Sequence, residues 1–253
     1  MKHLDTVLTK IQNAGLTIKP SKSKVAYQEV TYLGHTIGNC KIKPMLNKVE
    51  AVQNFPTPTT KKNVRSFLGL TGYYRKFVQD YDGIARPMIE LTKKAAPKEI
   101  KWTPECQKAF DTLKVKLSTE PVLATPNFEK PFLLQTDASK TGIGAVLSQL
   151  DDDCKEHPIF YLSRKMLSNE LNYSVSEKEC LAIVWSINKL RYYLQGHKFT
   201  VITDHKALKW LDNTRNCNNR LMRWSMTLQQ FTFDIQYRKG VTNTNADSLS
   251  RRG

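Results

Sequence analysis

Cysteine is scarce in this 253-residue sequence: there are five, at positions 40, 106, 154, 180 and 217. The number is odd, the positions are scattered, and no Cys-x-x-Cys pair occurs. That excludes a disulfide framework and a haem-attachment motif, argues against a zinc finger, and fits a reducing compartment. Long apolar runs are missing too. Nothing approaches the roughly 18–20 residues needed to cross a bilayer, so no membrane partner is expected. The start, MKHLDTVLTK, has no signal-peptide apolar core, so the expectation is an intracellular protein that is not secreted. Acidic residues are the last shortage, 23 against 39 basic ones, for a net charge of +16. Such an excess calls for a polyanionic partner, nucleic acid or an anionic surface. It is uneven: residues 1–125 hold 21 Lys and Arg against 10 Asp and Glu.

What is present is ordinary globular material, 40% hydrophobic and 25% charged, in a length that suits one or two compact domains. Leu4, Val7, Leu8 and Ile11 lie at helical spacing, with Gly15 just past the helix end. KVAYQEVTYLGHTIGNCKIKP alternates as a hairpin with Gly38-Asn39 between its arms. LNKVEAVQNF reads as a short helix stopped at Pro56. Thr59 or Thr60 then caps KKNVRSFLGLTGYYRKFV, a further helix covers IARPMIELTKK, and Thr103 caps residues 103–118, with Phe110, Leu113 and Leu117 on one face. At about residue 126 the grammar changes. PFLLQTDAS, IGAVLSQ and PIFYLSR read as strands, SEKECLAIVWSINKLRYYLQG as a long helix and FTVITDH as a strand. NRLMRWSMTLQQ follows as a helix, FTFDIQYRKG as a strand and TNADSLSR as a last short helix. The order βββαβαβα predicts an α/β domain with a mixed five-stranded sheet, preceded by a mainly helical region.

Two of those strands end alike, in Thr136-Asp137 and Thr203-Asp204. A buried strand ending in a carboxylate sets that charge at the mouth of the sheet, where ligands of α/β folds collect. Alternatively, each Asp caps the turn that follows. Glu177 and Glu179 begin the long helix two residues apart and cannot share a face. The stripe from Glu179 runs through Ala182, Ile183, Ile187, Leu190 and Leu194, broken only by Ser186, so Glu179 either aims at the sheet or simply favours the helix dipole. The stripe from Glu177 turns polar at Asn188 and Arg191, which suits a first-turn carboxylate favoured by the helix dipole. Asp247 opens the last short helix and is a fourth candidate, or a plain helix-start residue. Carboxylates gathered in one place repel and persist where divalent cations neutralise them. Oxygen ligands suit Mg²⁺ or Mn²⁺, and a pair of ions can hold both the attacking and leaving oxygens of a phosphodiester.

TDASKTGIGAVLSQ, SEKECLAIVWSINKLRYYLQGHKFTVITDHKAL and YRKGVTNTNADSLSR resemble the RNase H domain of gypsy-type LTR retrotransposon Pol polyproteins. FLGLTGYYRKFVQDYDGIARPMIELTKK resembles the thumb and connection of the same reverse transcriptases, and TYLGHTIGNCKIKP their primer-grip hairpin. The resemblance implies a palm remnant over residues 1–45, a helical thumb and connection over 46–125 and an RNase H domain over 126–253. It implies catalytic metal ligands at Asp137, Glu179, Asp204 and Asp247, two Mg²⁺ or Mn²⁺ ions, and endonucleolytic hydrolysis of the RNA strand of RNA–DNA hybrids. The expected partners are the hybrid, a primer–template duplex and the rest of the polyprotein. Lys61, Lys62, Arg65, Tyr73, Arg75 and Lys76 are the expected nucleic-acid contacts, mixing stacking with charge. Gly69 and Gly72 allow close approach of either a nucleic-acid backbone or another helix.

The sequence departs from that family in two ways. The palm's Tyr-x-Asp-Asp motif is absent, because the resemblance begins just after it. Polymerase activity is therefore expected only of the intact polyprotein, and Leu150-Asp151-Asp152-Asp153 is read as a solvated turn. The loop Arg238–Asn243 carries no histidine where many such enzymes have one, and Tyr237 stands on similar ground. The competing readings are a non-catalytic, domesticated nucleic-acid-binding protein and a transposase or integrase of the same fold.

Overall fold

Helix starts follow their capping side chains. The computed structural model describes residues 2–97, 99–119, 122–204 and 219–238. Helices α1 (Lys2–Asn13) and α2 (Leu46–Gln53) are followed by α3 (Lys61–Tyr73), α4 (Tyr81–Leu91) and α5 (Pro104–Ser118). Thr60 caps α3 by accepting the Asn63 amide, and Thr103 caps α5 by accepting that of Cys106, each satisfying a donor the helix cannot. Helix α4 begins three residues before the apolar pattern suggests, because Asp80 caps it from a left-handed backbone position, φ 54°. A Cβ on Gly83 would collide with the Asp80 carboxylate oxygens, so this cap requires glycine.

The N-terminal hairpin is a three-stranded meander: β1 (Glu29–Tyr32), β2 (His35–Gly38) and β3 (Lys41–Pro44). Its registers, Tyr32 with His35 and Gly38 with Lys41, leave two-residue turns at Leu33-Gly34 and Asn39-Cys40. All four turn residues have positive φ, the geometry that matches strand twist. The expected turn at Gly38-Asn39 is thus one residue out, and a second turn hides behind an apolar Leu33. Gly38 itself is a strand residue whose Cβ would run into the Gln28 carbonyl. A short β4 (Leu123–Ala124) adds to β3, completing a sheet of order β1-β2-β3-β4.

The second sheet contains β5 (Phe132–Ala138), β6 (Gly142–Leu150), β7 (Glu156–Lys165), β8 (Phe199–Thr203) and β9 (Phe233–Tyr237). Its order is β7-β6-β5-β8-β9. The first three strands are antiparallel, and β5–β8 and β8–β9 are parallel, so the sheet is mixed as expected. Helices α6 (Val175–Lys189) and α7 (Arg191–Leu194) connect β7 to β8, and α8 (Asn219–Leu228) precedes β9. Phe132, Leu134 and Leu147 pack against Ile183 and Ile187 of α6 in one core; Val64, Phe67, Met88, Phe110 and Leu113 form another between the helices. Strand β7 serves both. Its period of two turns Phe160 and Leu162 to the sheet core and Tyr161 to the helical one. Among the described residues no helix is long and apolar enough to cross a membrane. The expected last helix, with Asp247, lies outside the described residues.

Candidate active site

Strands β5 and β8 are parallel neighbours, so their C-terminal ends open on the same side of the sheet. Gln135 pairs with Ile202; two residues further along each strand stand Asp137 and Asp204. Helix α6 lies against β5 with Glu179 in its first turns. Ligand oxygens of Asp137, Glu179 and Asp204 all lie within 4.8 Å of one another. Asp137 and Glu179 are each 4% exposed, and Asp204 is half-buried. Three of the carboxylates singled out by their spacing therefore meet in space.

Their electrostatics are strained. Burial pushes the Glu179 carboxyl up from its usual 4.5 to about 9; the neighbouring charges of Asp137 and then Asp204 add to the rise, and the Ala138 backbone amide opposes it. Glu179 Oε2 is buried without a hydrogen-bond partner, a costly condition for a carboxylate oxygen. An all-oxygen donor set with one such orphan fits a hard divalent cation. The cluster can hold a metal ion.

Glu177 has a different task. Ser174 and Glu177 form a reciprocal capping box at the start of α6, and Arg220 of α8 donates to Glu177 Oε1 at 2.7 Å. The Arg220 guanidinium also lies 4.0 Å from the Tyr173 ring centroid. The first-turn role expected of Glu177 is filled. The same α8 covers a face of α6 that the sequence pattern leaves half-polar: Cys180, Leu181 and Val184 are buried as well.

The expected nucleic-acid contacts divide. Lys61 donates to the carbonyls of Lys93 and Ala96, and Arg65 to that of Thr92, so both serve the carbonyl end of α4. Arg75 pairs with Asp82 and donates to the Ser163 carbonyl at 2.9 Å. Lys76 lies 5.2 Å from the Phe77 ring centroid, and burial lowers its ammonium from the usual value. Lys62 is exposed. Tyr73 is exposed and bonds the Leu33 carbonyl, while buried Tyr74 donates to that of Gly34 at 2.7 Å. Tyr74 and Phe77 are core residues, as packing suggests. Gly69 faces open space, and a Cβ on Gly72 would meet only the Tyr81 hydroxyl, at 3.5 Å. Tyr237 ends β9 opposite Thr203, half-exposed beside the Asp204 strand end. Asp151 accepts the amides of Asp153 and Lys155 and pairs with His157 at 2.7 Å, which makes the Asp151–Asp153 run a turn. Contrary to the expectation that no Cys-x-x-His spacing occurs, Cys154 and His157 stand at it, but His157 pairs with Asp151. Among the described residues the only group placed to hold a metal is the carboxylate triad.

A mixed five-stranded sheet with a buried acidic triad where two parallel strands end defines an RNase H-like fold. Residues 127–231 match the family described as the RNase H-like domain found in reverse transcriptase. Over those residues the chain is similar to that domain, and its relatives are Pol polyproteins of LTR transposons. It is 42% identical over 251 residues to the retrovirus-related Pol polyprotein from transposon 297 of Drosophila melanogaster, covering 99% of this chain and 23% of that protein. It is 39% identical over 255 residues to the transposon Tf2-3 polyprotein of Schizosaccharomyces pombe, covering 99% and 19%. The chain thus spans about a fifth to a quarter of the length of these relatives. In fold it is similar to the foamy viral protease-reverse transcriptase in complex with RNA/DNA hybrid, with a TM-score of 0.76 at 24% identity, over 94% of this chain and 33% of that one. The same enzyme in complex with dsDNA gives a TM-score of 0.74, also at 24% identity, over 94% and 51%.

Proposed function

We propose that this chain is the thumb, connection and RNase H portion of a retrotransposon reverse transcriptase, and that it hydrolyses the RNA strand of RNA–DNA hybrids endonucleolytically. The observation that carries this reading is the convergence of Asp137, Glu179 and Asp204, two of them buried, on one carboxylate cluster. Residues 1–45 are read as the palm remnant, 46–125 as thumb and connection and 126–253 as the RNase H domain. RNA-directed DNA polymerase activity would belong to the longer polyprotein.

Asp137, Glu179 and Asp204, with Asp247 as the fourth ligand, would hold two Mg²⁺ or Mn²⁺ ions. When bound, the metal activates water at neutral pH and stabilises charge developing on the phosphodiester. The protein contributes preorganisation. The β5–β8 register fixes two carboxylates, the capping box fixes the start of the helix bearing the third, and burial keeps them from relaxing apart. The basic surface of residues 1–125 would hold the duplex, chiefly through phosphates, with Lys62, Lys76 and Tyr73 among the contacts. Lys61, Arg65 and Arg75 would approach it only with the donors their protein carbonyls leave over. Tyr237, which pairs with Thr203 at the end of β9, would serve as an accessory group.

The direct test is to incubate the chain with an end-labelled hybrid and Mg²⁺. RNA cleavage that a chelator stops is the expected result; binding without cleavage would favour the non-catalytic reading. A second expectation separates the neighbouring glutamates. Glu179→Gln should be inactive. Glu177→Gln should keep most activity, since an amide still caps the helix and only the Arg220 ion pair is weakened. Single-turnover rates on one hybrid decide it, and loss of activity in both variants would mean that the ion pair supports the site more than the cap does.

A further inference from the structure

The open edge of the five-stranded sheet is not left bare. Strand β7 is an edge strand, and the residues that cover it come from the helical region. Arg75, in the single turn after α3, donates to the Ser163 carbonyl at 2.9 Å and pairs with Asp82 in the first turn of α4. The Ser163 hydroxyl closes the arrangement: it donates to Asp82 Oδ2 at 3.2 Å and accepts the Asp82 amide at 3.1 Å. Ser163 is buried, and the Asp82 side chain is 19% exposed. Burial is the main influence on the Asp82 carboxyl and raises it, with Arg75 and Ser163 opposing. One helix length away, Lys165 pairs with Glu90 at 3.0 Å. Tyr161, two residues before Ser163 on the same face of the strand, packs into the helical core. The contacts from β7 therefore come from alternate residues of one strand, 161, 163 and 165, and reach both ends of α4.

A polar cluster that is part-buried and fully engaged contributes specificity of arrangement more than net stability. Loose apolar packing would let α4 slide along the strand. A hydroxyl that donates and accepts within one residue, with a guanidinium bound to both strand carbonyl and helix carboxylate, permits one register. We infer that Arg75, Asp82 and Ser163 are positioning residues that lock the helical region to the sheet in one register. The lock fixes the distance along a duplex between where the helical region grips it and where the carboxylate cluster cuts it. This inference rests on the hybrid-cleavage reading above, and it adds a ruler that the cluster alone does not supply.

The test uses the full chain and a long hybrid with one recessed end, read as the distribution of cut positions from that end. Wild type should give a narrow cluster of cuts. Asp82→Asn keeps the side-chain shape but removes the charge that holds Arg75. It should broaden the distribution severalfold while changing the single-turnover rate on a short hybrid by less than about twofold, because a positioning loss appears in placement and not in chemistry. Ser163→Ala should broaden it in the same way. The exposed Lys165–Glu90 pair is left unchanged, because Glu90 also pairs with Lys93 and its exchange to lysine would set two ammonium groups side by side. An unchanged cut distribution in both Asp82→Asn and Ser163→Ala would overturn the ruler while leaving the activity intact. A wild-type protein that cuts no hybrid would overturn the activity reading, and the ruler with it.

Discussion

Asp137→Asn is expected to leave a folded protein that no longer cuts the RNA strand of a hybrid. The loss should be about a hundred- to a thousandfold, the scale of removing one preorganised charge-stabilising group. The same substitution should act in the opposite direction on metal-free stability. In the wild type, burial followed by the charges of Asp137 and Asp204 lifts Glu179 to about 9. A carboxyl raised on folding contributes stability that is fully present below its ordinary 4.5 and is lost as pH rises toward 9. The metal-free protein should therefore weaken between about pH 5 and 8, by at most about 1.4 kcal/mol per pH unit from this group. Asp137→Asn removes one of the charges responsible and should flatten that decline. Thermal unfolding at the two ends of that pH range in chelator, with and without added Mg²⁺, checks both points. Mg²⁺ should restore the wild type at the alkaline end and do little for the variant. A variant that still cuts at the wild-type rate would end the assignment of this cluster as the catalytic centre.

The second large effect concerns residues 1–125. Their removal takes away most of the excess charge, so hybrid affinity should fall steeply. Each lost phosphate contact should also flatten the salt dependence, by about 0.9 in the slope of log K against log salt on duplex DNA. Residues 126–253 keep a core of their own in Phe132, Leu134, Leu147, Ile183, Ile187 and Val201, so folding should survive. Stability should fall, because Tyr161 loses its packing and Ser163 and Lys165 lose Arg75, Asp82 and Glu90. The rate at saturating hybrid should change less than the affinity, since uniform binding energy appears in KM. Equal affinities and salt slopes for the two lengths would show that the helical half does not grip the duplex.

Most of the carboxylate cluster is legible in the sequence. Matched Thr-Asp strand ends and the helical stripe from Glu179 are consequences of periodicity, and periodicity is local information. The cap at Thr103 and the face of Phe110, Leu113 and Leu117 are legible for the same reason. What the sequence hides depends on partners far along the chain. Leu33 adopts positive φ although its apolar side chain gives no turn signal, and its turn is held by Tyr73 and Tyr74 forty residues away. Cys180 and Val184 are buried because α8 returns over α6. Arg75 looks like a phosphate ligand beside Tyr73 and Tyr74, yet two of its bonds reach Asp82 and Ser163 of β7. Charge reads as an invitation to solvent or to nucleic acid until the carbonyl that it meets is known.

Strand β7 carries residues of two cores in alternation, and this bears on how such chains can be recombined. A chimaera joined near residue 126 between two related polyproteins would draw β7 from one parent and α4 from the other. Phe160 and Leu162 would travel with their own partners, but Tyr161 would meet a stranger's helical core, and Ser163 and Lys165 would face that parent's residues at positions 75, 82 and 90. Compatible parents are those that match at these six positions, however much they differ elsewhere. An exchange that ignores them would join two sound halves along a mismatched seam.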